Sequence, residues 1–331
     1  MIGPSTTWAE FLIGACLALT AFAGAWSLAR GFGWGPGTHV RLARRLSEHF
    51  AGRAARSEAS ELLLAHPGCF LYGNIAADIV NFKGYGGVKN HCHHWSIHER
   101  LEEHARDERD RAFILGYLCH LAADLVAHNH MVPYHLVRGL PPRLLAHAYW
   151  EALADGGVAE EDWEALAALK RDRTLHRHDR LVWAAVPRRA FGRRPNKWIF
   201  HQFTLVSLRP SWRELIRGAL RRRARHPIDQ GFLRHCVEAS YRNMLQVFDT
   251  DRFPLLKAGD PTGRAALRHA RVLRREIARR HGYAEAGRRA SERLAREAYW
   301  ALPAPGPAPR PTPAPAQVPD PRPDPAAFRR T

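Results

Sequence analysis

Histidines and carboxylates between residues 120 and 151 are spaced as metal ligands would be on helices. His120 and Asp124 lie four positions apart, as do His147 and Glu151, and His130 stands between the two pairs. Residues four apart project from one face of a helix. Because zinc accepts imidazole and carboxylate ligands at about 2.0–2.2 Å, two such faces suit more than one ion. The stretch therefore favours a multinuclear zinc hydrolase.

Further candidate ligands lie upstream, where histidine is concentrated. Of the 20 histidines in the chain, 13 fall between His39 and His147. Any one of them alone is more often a structural or surface group than a ligand, but several candidates in order favour a shared site. The upstream candidates are Trp34, His39, Asp78 and the cluster His91, His93 and His94.

The composition indicates a folded and strongly basic chain. Its 331 residues are 46% hydrophobic, enough for one large domain or two ordinary ones. A net charge of +18 favours anionic partners: nucleic acid, acidic lipid head groups or phosphate esters. The five cysteines include no Cys-x2-Cys pair, which excludes a thiolate zinc finger. They either form disulfides or remain as small buried residues.

The first 33 residues differ from the rest of the chain. Residues 11–29 are uncharged and mostly apolar, long enough for the hydrophobic part of a secretory signal and borderline for a membrane span. Small residues, Gly31 and Gly33, precede Trp34 as they would at a signal-peptidase site. We expect export to the periplasm or the outside, with cleavage before Trp34, or membrane attachment through residues 11–29.

Apolar residues at helical spacing dominate from His39 onward, and alternating strand patterns are scarce, so we predict an all-α fold. Pro141 and Pro142 suit the start of the helix that carries His147 and Glu151. The glycine-rich segment 69–89 indicates a long ordered loop. Helices are predicted at 39–55, 57–66 and 111–128.

The C-terminal half carries less informative chemistry. Two basic amphipathic stretches, 212–225 and 264–300, are more often solvated helix faces than surfaces for a membrane or a polyanion. The region after residue 301 holds 11 of the 23 prolines, and we expect it to be disordered. The predicted organisation is a leader or membrane segment (1–33), a zinc-site helical core (34–155), a basic helical C-terminal part (156–300) and a Pro-rich tail (301–331).

Taken in order, the candidate ligands resemble the zinc-dependent phospholipase C and S1/P1 nuclease superfamily, over roughly residues 34–151. The resemblance implies a multi-helix domain in which three Zn²⁺ ions cleave phosphodiester bonds. It matches His39 and Asp78 to the first ligand histidine and aspartate of the family. His93 best matches the histidine expected about 15 residues later, with His91 and His94 as competitors.

The resemblance also assigns the downstream motifs. His120 and Asp124 belong to a close zinc pair, with Asp124 as the bridging carboxylate. A remaining, more exposed zinc would be held by His130, His147 and Glu151. Two histidines fall outside the pattern and are expected to be supporting or surface groups: His128 and His135.

In the family, the mature chain begins with a tryptophan whose free α-amine and carbonyl bind zinc. A cut between Gly33 and Trp34 would create that terminus here. If the leader is retained, the amine becomes an amide and one site loses a ligand.

The implied reaction is hydrolysis by a water whose pKa zinc lowers to about 7. Asp78, besides being a ligand, is the candidate to orient or deprotonate that water. The leading prediction is a phospholipase C acting on glycerophospholipids, with a basic surface suited to anionic bilayers. A rival is a single-strand nuclease, for which aromatic side chains would stack on bases. Candidates for that stacking are Trp95, Tyr149 and Trp150.

A third alternative is a non-catalytic, membrane-attached helical protein. Departures from the family pattern bear on the choice. The Trp34–His39 spacing is that of the nuclease branch, whereas Glu151 is typical of the phospholipase branch. Ile79 stands where choline-selective phospholipases carry an aromatic residue, which weakens the expectation of a phosphatidylcholine preference.

Overall fold

Helices make up the regular structure throughout the part of the chain that the computed structural model describes. These residues are 33–54, 57–80, 86–139, 150, 153–214, 218, 228–282 and 284–302. No strand occurs among them. The all-α prediction is therefore confirmed. The leader 1–32, the tail from 303, and the predicted ligands His147 and Glu151 lie outside the described residues.

The N-terminal half begins with helices whose starts follow local sequence signals. Proline stands in the first turn of three of them, at Pro36, Pro67 and Pro133, where its missing N–H costs little. Ser57 and Asp107 each cap the helix that begins at the next residue, through side-chain oxygens that accept backbone N–H groups. The helices are α1 (Pro36–Ala51), α2 (Glu58–Ala65), α3 (Pro67–Ala76), α4 (Trp95–Glu102), α5 (Glu108–Val126) and α6 (Val132–Arg138).

Short turns connect these helices near the candidate ligands. A 3₁₀ turn at Ala77–Ile79 follows α3 and carries Asp78, and another spans Val88–Asn90. A π-helical turn at Ala127–Met131 joins α5 to α6 and carries His128 and His130. Such π turns within α-helices are frequent at functional sites.

The C-terminal half is also helical. A 3₁₀ segment, Arg173–His178, leads directly into the helix that begins at Asp179. The predicted basic stretch 264–300 is two helices, separated at Gly282, which has a positive φ of 65°. The helices are α7 (Glu160–Arg171), α8 (Asp179–Ala185), α9 (Arg193–Leu208), α10 (Pro210–Glu214), α11 (Gln230–Gln246), α12 (Phe253–Lys257), α13 (Arg264–His281) and α14 (Glu285–Tyr299).

The prediction of a long loop at 69–89 is wrong for residues 69–76, because residues 67–76 form the buried helix α3. Gly73 of α3 faces Gly116 of α5 across a very close crossing. A Cβ at Gly73 would lie 2.0 Å from the Phe113 carbonyl oxygen, and one at Gly116 would lie 2.0 Å from the Phe70 carbonyl oxygen. Glycine is thus used here for helix packing and not for a turn.

One hydrophobic core unites both halves of the described chain. It extends from Trp34 to Tyr299 and includes side chains of α5, α11, α13 and α14. The predicted zinc-site part and the basic C-terminal part therefore fold around a shared interior. The thiols of Cys69, Cys92, Cys119 and Cys236 are buried and free of disulfides. No described helix has the length and apolar character needed to cross a bilayer.

Candidate metal centre

Five predicted ligands from four separate elements converge in the interior. α1 supplies His39, the 3₁₀ turn after α3 supplies Asp78, and α5 supplies His120 and Asp124. His93 precedes α4. Four of these side chains are fully buried, and Asp78 is 5% exposed. Buried imidazoles around carboxylates are the arrangement expected of a metal site.

A first ligand group comprises His39, His120 and Asp124, whose ligand atoms lie within 4.8 Å of one another. His39 Nε2 lies 3.4 Å from Asp124 Oδ1, and the rings of His39 and His120 stack at 3.9 Å. The backbone N–H of Trp34 donates to the same Asp124 oxygen at 3.2 Å. Trp34 is held there because its indole N–H donates to Ser240 Oγ at 2.9 Å.

A second ligand group comprises Asp78, His93 and His120, within the same 4.8 Å limit. His93 Nε2 lies 3.4 Å from Asp78 Oδ1 and 3.0 Å from Asp124 Oδ2. His120 Nε2 lies 3.3 Å from that same Asp124 oxygen. Asp124 thus stands between the two groups, with one oxygen directed to each, as a bridging carboxylate would.

The hydrogen bonds fix which nitrogen of His120 is free to bind a cation. Its Nδ1–H donates to the Asn74 carbonyl oxygen at 2.7 Å, which leaves the Nε2 lone pair directed inward. His93 Nε2 lies only 2.8 Å from that Nε2. With both nitrogens unprotonated, their lone pairs would meet at one point, where a cation would stabilise them.

Several buried polar atoms of the first group have no hydrogen-bond partner within the described chain. They are both ring nitrogens of His39 and Oδ2 of Asp124. His39 Nε2 and Asp124 approach to 3.4 Å, and His93 Nε2 lies 3.0 Å from Oδ2, yet neither approach has hydrogen-bond geometry. Buried polar groups without partners are rare in folded proteins, and a bound ion can satisfy them. The donor set and these atoms fit zinc.

Electrostatics place His39 and Asp124, two members of the cluster, in the protonation states that metal binding needs. Burial lowers the pKa of His39 to about 4, and neighbouring His120 acts in the same direction. For Asp124, burial acts to raise the pKa, but His120 and His128 outweigh it and hold the pKa well below its ordinary value. A neutral His39 beside an ionised Asp124 is the ligand form of both groups.

Of the three competing histidines, only His93 joins Asp78 and His120. His94 Nδ1 accepts the Ser96 N–H and so caps α4. His91 Nδ1 accepts the backbone N–H of His93 at 3.1 Å. The Cys92 thiol lies 3.3 Å from His93 Nδ1, the ring nitrogen that does not face Asp78.

His130 is not among the histidines that group with Asp124 in the described chain. It lies in the π-helical turn, and its Nδ1 is 3.2 Å from the Tyr299 carbonyl oxygen. Its expected partners, His147 and Glu151, lie outside the described residues. A zinc ligand role for these three residues stays a prediction.

The two histidines that fall outside the family pattern are both buried. His128 Nδ1 donates to the Pro261 carbonyl oxygen at 2.6 Å and lies 3.6 Å from Asp124 Oδ2, so it packs in support of the Asp124 carboxylate. His135 Nδ1 donates to the Met131 carbonyl oxygen at 2.8 Å, and burial lowers its pKa to about 4. His128 therefore has the supporting position that was expected. Neither histidine lies on the surface, which was the other expectation.

Asp155 is a supporting residue that sequence reasoning does not identify. Its buried carboxylate accepts the N–H of Gly37 at 3.1 Å, the N–H of Thr38 at 2.9 Å and the Thr38 hydroxyl at 2.6 Å. It thus caps α1, whose own cap residue Gly35 has no side chain to do so. The only sequence signal for such a residue is that Gly35 cannot cap α1 with a side chain of its own.

The comparisons with known proteins agree with this geometry. Residues 38–193 match the family model described as "Zinc dependent phospholipase C". This region contains all five converging predicted ligands, and the predicted resemblance to the phospholipase C and P1 nuclease superfamily is confirmed. Neither the search of curated proteins nor that of solved structures found a match.

Proposed function

We propose that the chain is a phospholipase C-type hydrolase that cleaves glycerophospholipids. The observation that carries the proposal is the position of Asp124, which stands between His39 on one side and His93 with Asp78 on the other. Together with His39, His120, Asp78 and His93, Asp124 would hold two zinc ions. A third ion would be held by His130, His147 and Glu151.

Zinc, when bound, would polarise the phosphoryl oxygens and lower the pKa of water to about 7. Asp78 is the best-placed carboxylate to orient that water and receive its proton, because it alone in the cluster keeps some exposure, 5%. His120 is held in one tautomer by Asn74, so it cannot rotate away during the reaction. In-line attack of the water on phosphorus would break the bond to the glycerol oxygen. The proton that Asp78 receives from the water would pass to that oxygen, which leaves as the alcohol.

We further propose that the working enzyme begins at Trp34. The Trp34 nitrogen and His39 Nε2 both face Oδ1 of Asp124, at 3.2 and 3.4 Å. Cleavage after Gly33 would turn that amide nitrogen into an amine, which has a lone pair for zinc. The same cleavage implies export, and the basic surface of the exported protein suits anionic bilayers.

Two assays test the function. Purified protein is given phospholipid vesicles or single-stranded DNA, each with and without a zinc chelator. Chelator-sensitive release of a phosphorylated head group supports the proposal, whereas chelator-sensitive DNA cleavage alone would identify a nuclease. Trp95 and Trp150, the described candidates for base stacking, are only 7% and 3% exposed, which weighs against the nuclease.

Elemental analysis separates both enzymes from the non-catalytic alternative. Less than one zinc ion per chain in the purified protein would contradict the enzyme. A chain with zinc but no hydrolysis of either substrate would point to a structural role of the metal.

A further inference from the structure

A strongly basic cavity lies apart from the metal centre. It measures about 540 Å³, in the range of small-molecule sites, and is lined by none of the five converging ligands. Its wall comes from the 3₁₀ segment Arg173–His178, from the start of α8 and from the first two turns of α9. The sequence stretches that form it fall at the end of the family match and just beyond it.

The cavity has a large excess of positive charge. Five arginines and one lysine line it, against a single carboxylate, Asp179. That carboxylate is already engaged, because Lys197 and the Tyr72 hydroxyl both donate to it. Arg177 is likewise paired, with Asp107 and Asp110. Within the described chain, four guanidinium groups of the wall form no ion pair: Arg173, Arg180, Arg193 and Arg194.

The local backbone adds to this charge. Arg193 and Arg194 are the first residues of α9, where the helix dipole already places partial positive charge. The first turn of α9 contains no acidic residue, and its cap residue Gly192 accepts no hydrogen bond through a side chain. Pairs of arginines at a helix start cost free energy unless an anion compensates them.

We propose that this cavity binds a compound carrying two or more phosphate groups. Guanidinium groups bind phosphate oxygens through paired hydrogen bonds. Unpaired arginines contributed by three separate elements suit several phosphates better than one. The source is either a soluble polyphosphate compound or the head group of a diphosphate lipid such as cardiolipin.

The test uses the full protein, in an Asp124→Asn background so that phosphate binding at the metal centre does not contribute. Calorimetric titration with tripolyphosphate measures the soluble arm, and sedimentation with phosphatidylcholine vesicles, with or without cardiolipin, measures the lipid arm. The Arg193→Gln/Arg194→Gln variant should weaken binding at least about tenfold, since two charge-assisted contacts are lost. Arg173→Gln/Arg180→Gln, on the other two elements of the wall, should weaken it similarly.

The matched control is Arg268→Gln/Arg271→Gln on α13, which removes the same charge from exposed positions outside the cavity. Its affinity should stay close to that of the parent protein. If the cavity variants lose tripolyphosphate binding, the ligand is a soluble compound. If they lose binding only to vesicles that contain cardiolipin, the ligand is the lipid. Equal weakening by the cavity and control variants, or no saturable binding in either arm, would overturn the proposal.

Discussion

The carboxylate of Asp155 holds both the backbone N–H and the hydroxyl of Thr38, at 2.9 and 2.6 Å, although 117 residues separate the two in sequence. Thr38 immediately precedes His39, so this clamp fixes the start of the helix that carries the first predicted ligand. The relationship links the region beyond Glu151 to the metal centre.

Removal of the clamp should destabilise the fold. We expect Asp155→Ala to lower the free energy of unfolding by about 2 kcal/mol, because buried donors lose their acceptor. Urea denaturation followed by circular dichroism measures the change. Asp172→Ala is the control, since the exposed Asp172 accepts the same two kinds of hydrogen bond from Thr174, at 2.9 and 2.6 Å. An equal loss in both variants would contradict the role of burial.

The same carboxylate should make stability depend on pH. Burial raises the pKa of Asp155 to about 6 from an ordinary 3.8, against the lowering effect of its hydrogen bonds from Thr38. Because the folded-state pKa is the higher one, protonation stabilises the fold. The contribution is present below about pH 4 and is lost as pH rises through about 6.

Comparison of wild type with Asp155→Asn isolates this contribution. In chelator, the difference between their free energies of unfolding should change by up to about 3 kcal/mol between about pH 4 and about pH 6.5. Urea denaturation at each pH gives the two curves. Parallel curves would show that Asp155 does not titrate in that window.

Asp124→Asn should empty both ligand groups at once, because Asp124 has one oxygen directed to each. We expect a loss of more than one zinc ion per chain and of nearly all hydrolytic activity, measured by elemental analysis and vesicle assay. Asp251→Asn, at an exposed position, serves as the control. Full zinc content in Asp124→Asn would rule out a bridging role.

The close crossing of α3 and α5 should tolerate no added carbon. Gly73→Ala places a Cβ about 2.0 Å from backbone oxygen. We expect it to destabilise the protein by about 3 kcal/mol or to prevent folding. Gly68→Ala, in the same helix, meets its nearest neighbour, Leu175, at 3.8 Å and should be neutral. Thermal unfolding compares the two variants.

Gly33→Ala tests whether the chain is cut before Trp34. A Cβ at Gly33 would lie 2.0 Å from Asp124 Oδ1, so a retained leader with alanine there should disrupt the site. Alanine is itself acceptable before a signal-peptidase cut. If the leader is removed, the mature variant is identical to wild type, with equal zinc content and activity. Mass spectrometry of the N-terminus should then begin at Trp34, and an intact leader would contradict the proposal.

Much of the helical architecture follows from sequence alone. The helices around His39 and His120 and the basic helices α13 and α14 follow from apolar residues recurring at helical spacing. Helix α3 is not apparent from the sequence because Gly73 and its neighbours have the composition of a turn. Only the partner helix α5 shows that this glycine serves close packing.

The sequence by itself determined which residue types were available as ligands and their order, because spacing on a helix is a local property. It favoured His93 over His91 and His94 only because its distance from Asp78 matches the ligand spacing of the family. The tertiary structure decided what local pattern cannot: that Asp124 stands between two groups of ligands, that Asp155 caps a helix 117 residues away, and that arginines from three elements share a cavity. Those relationships depend on how helices pack, and packing is set by the whole core at once.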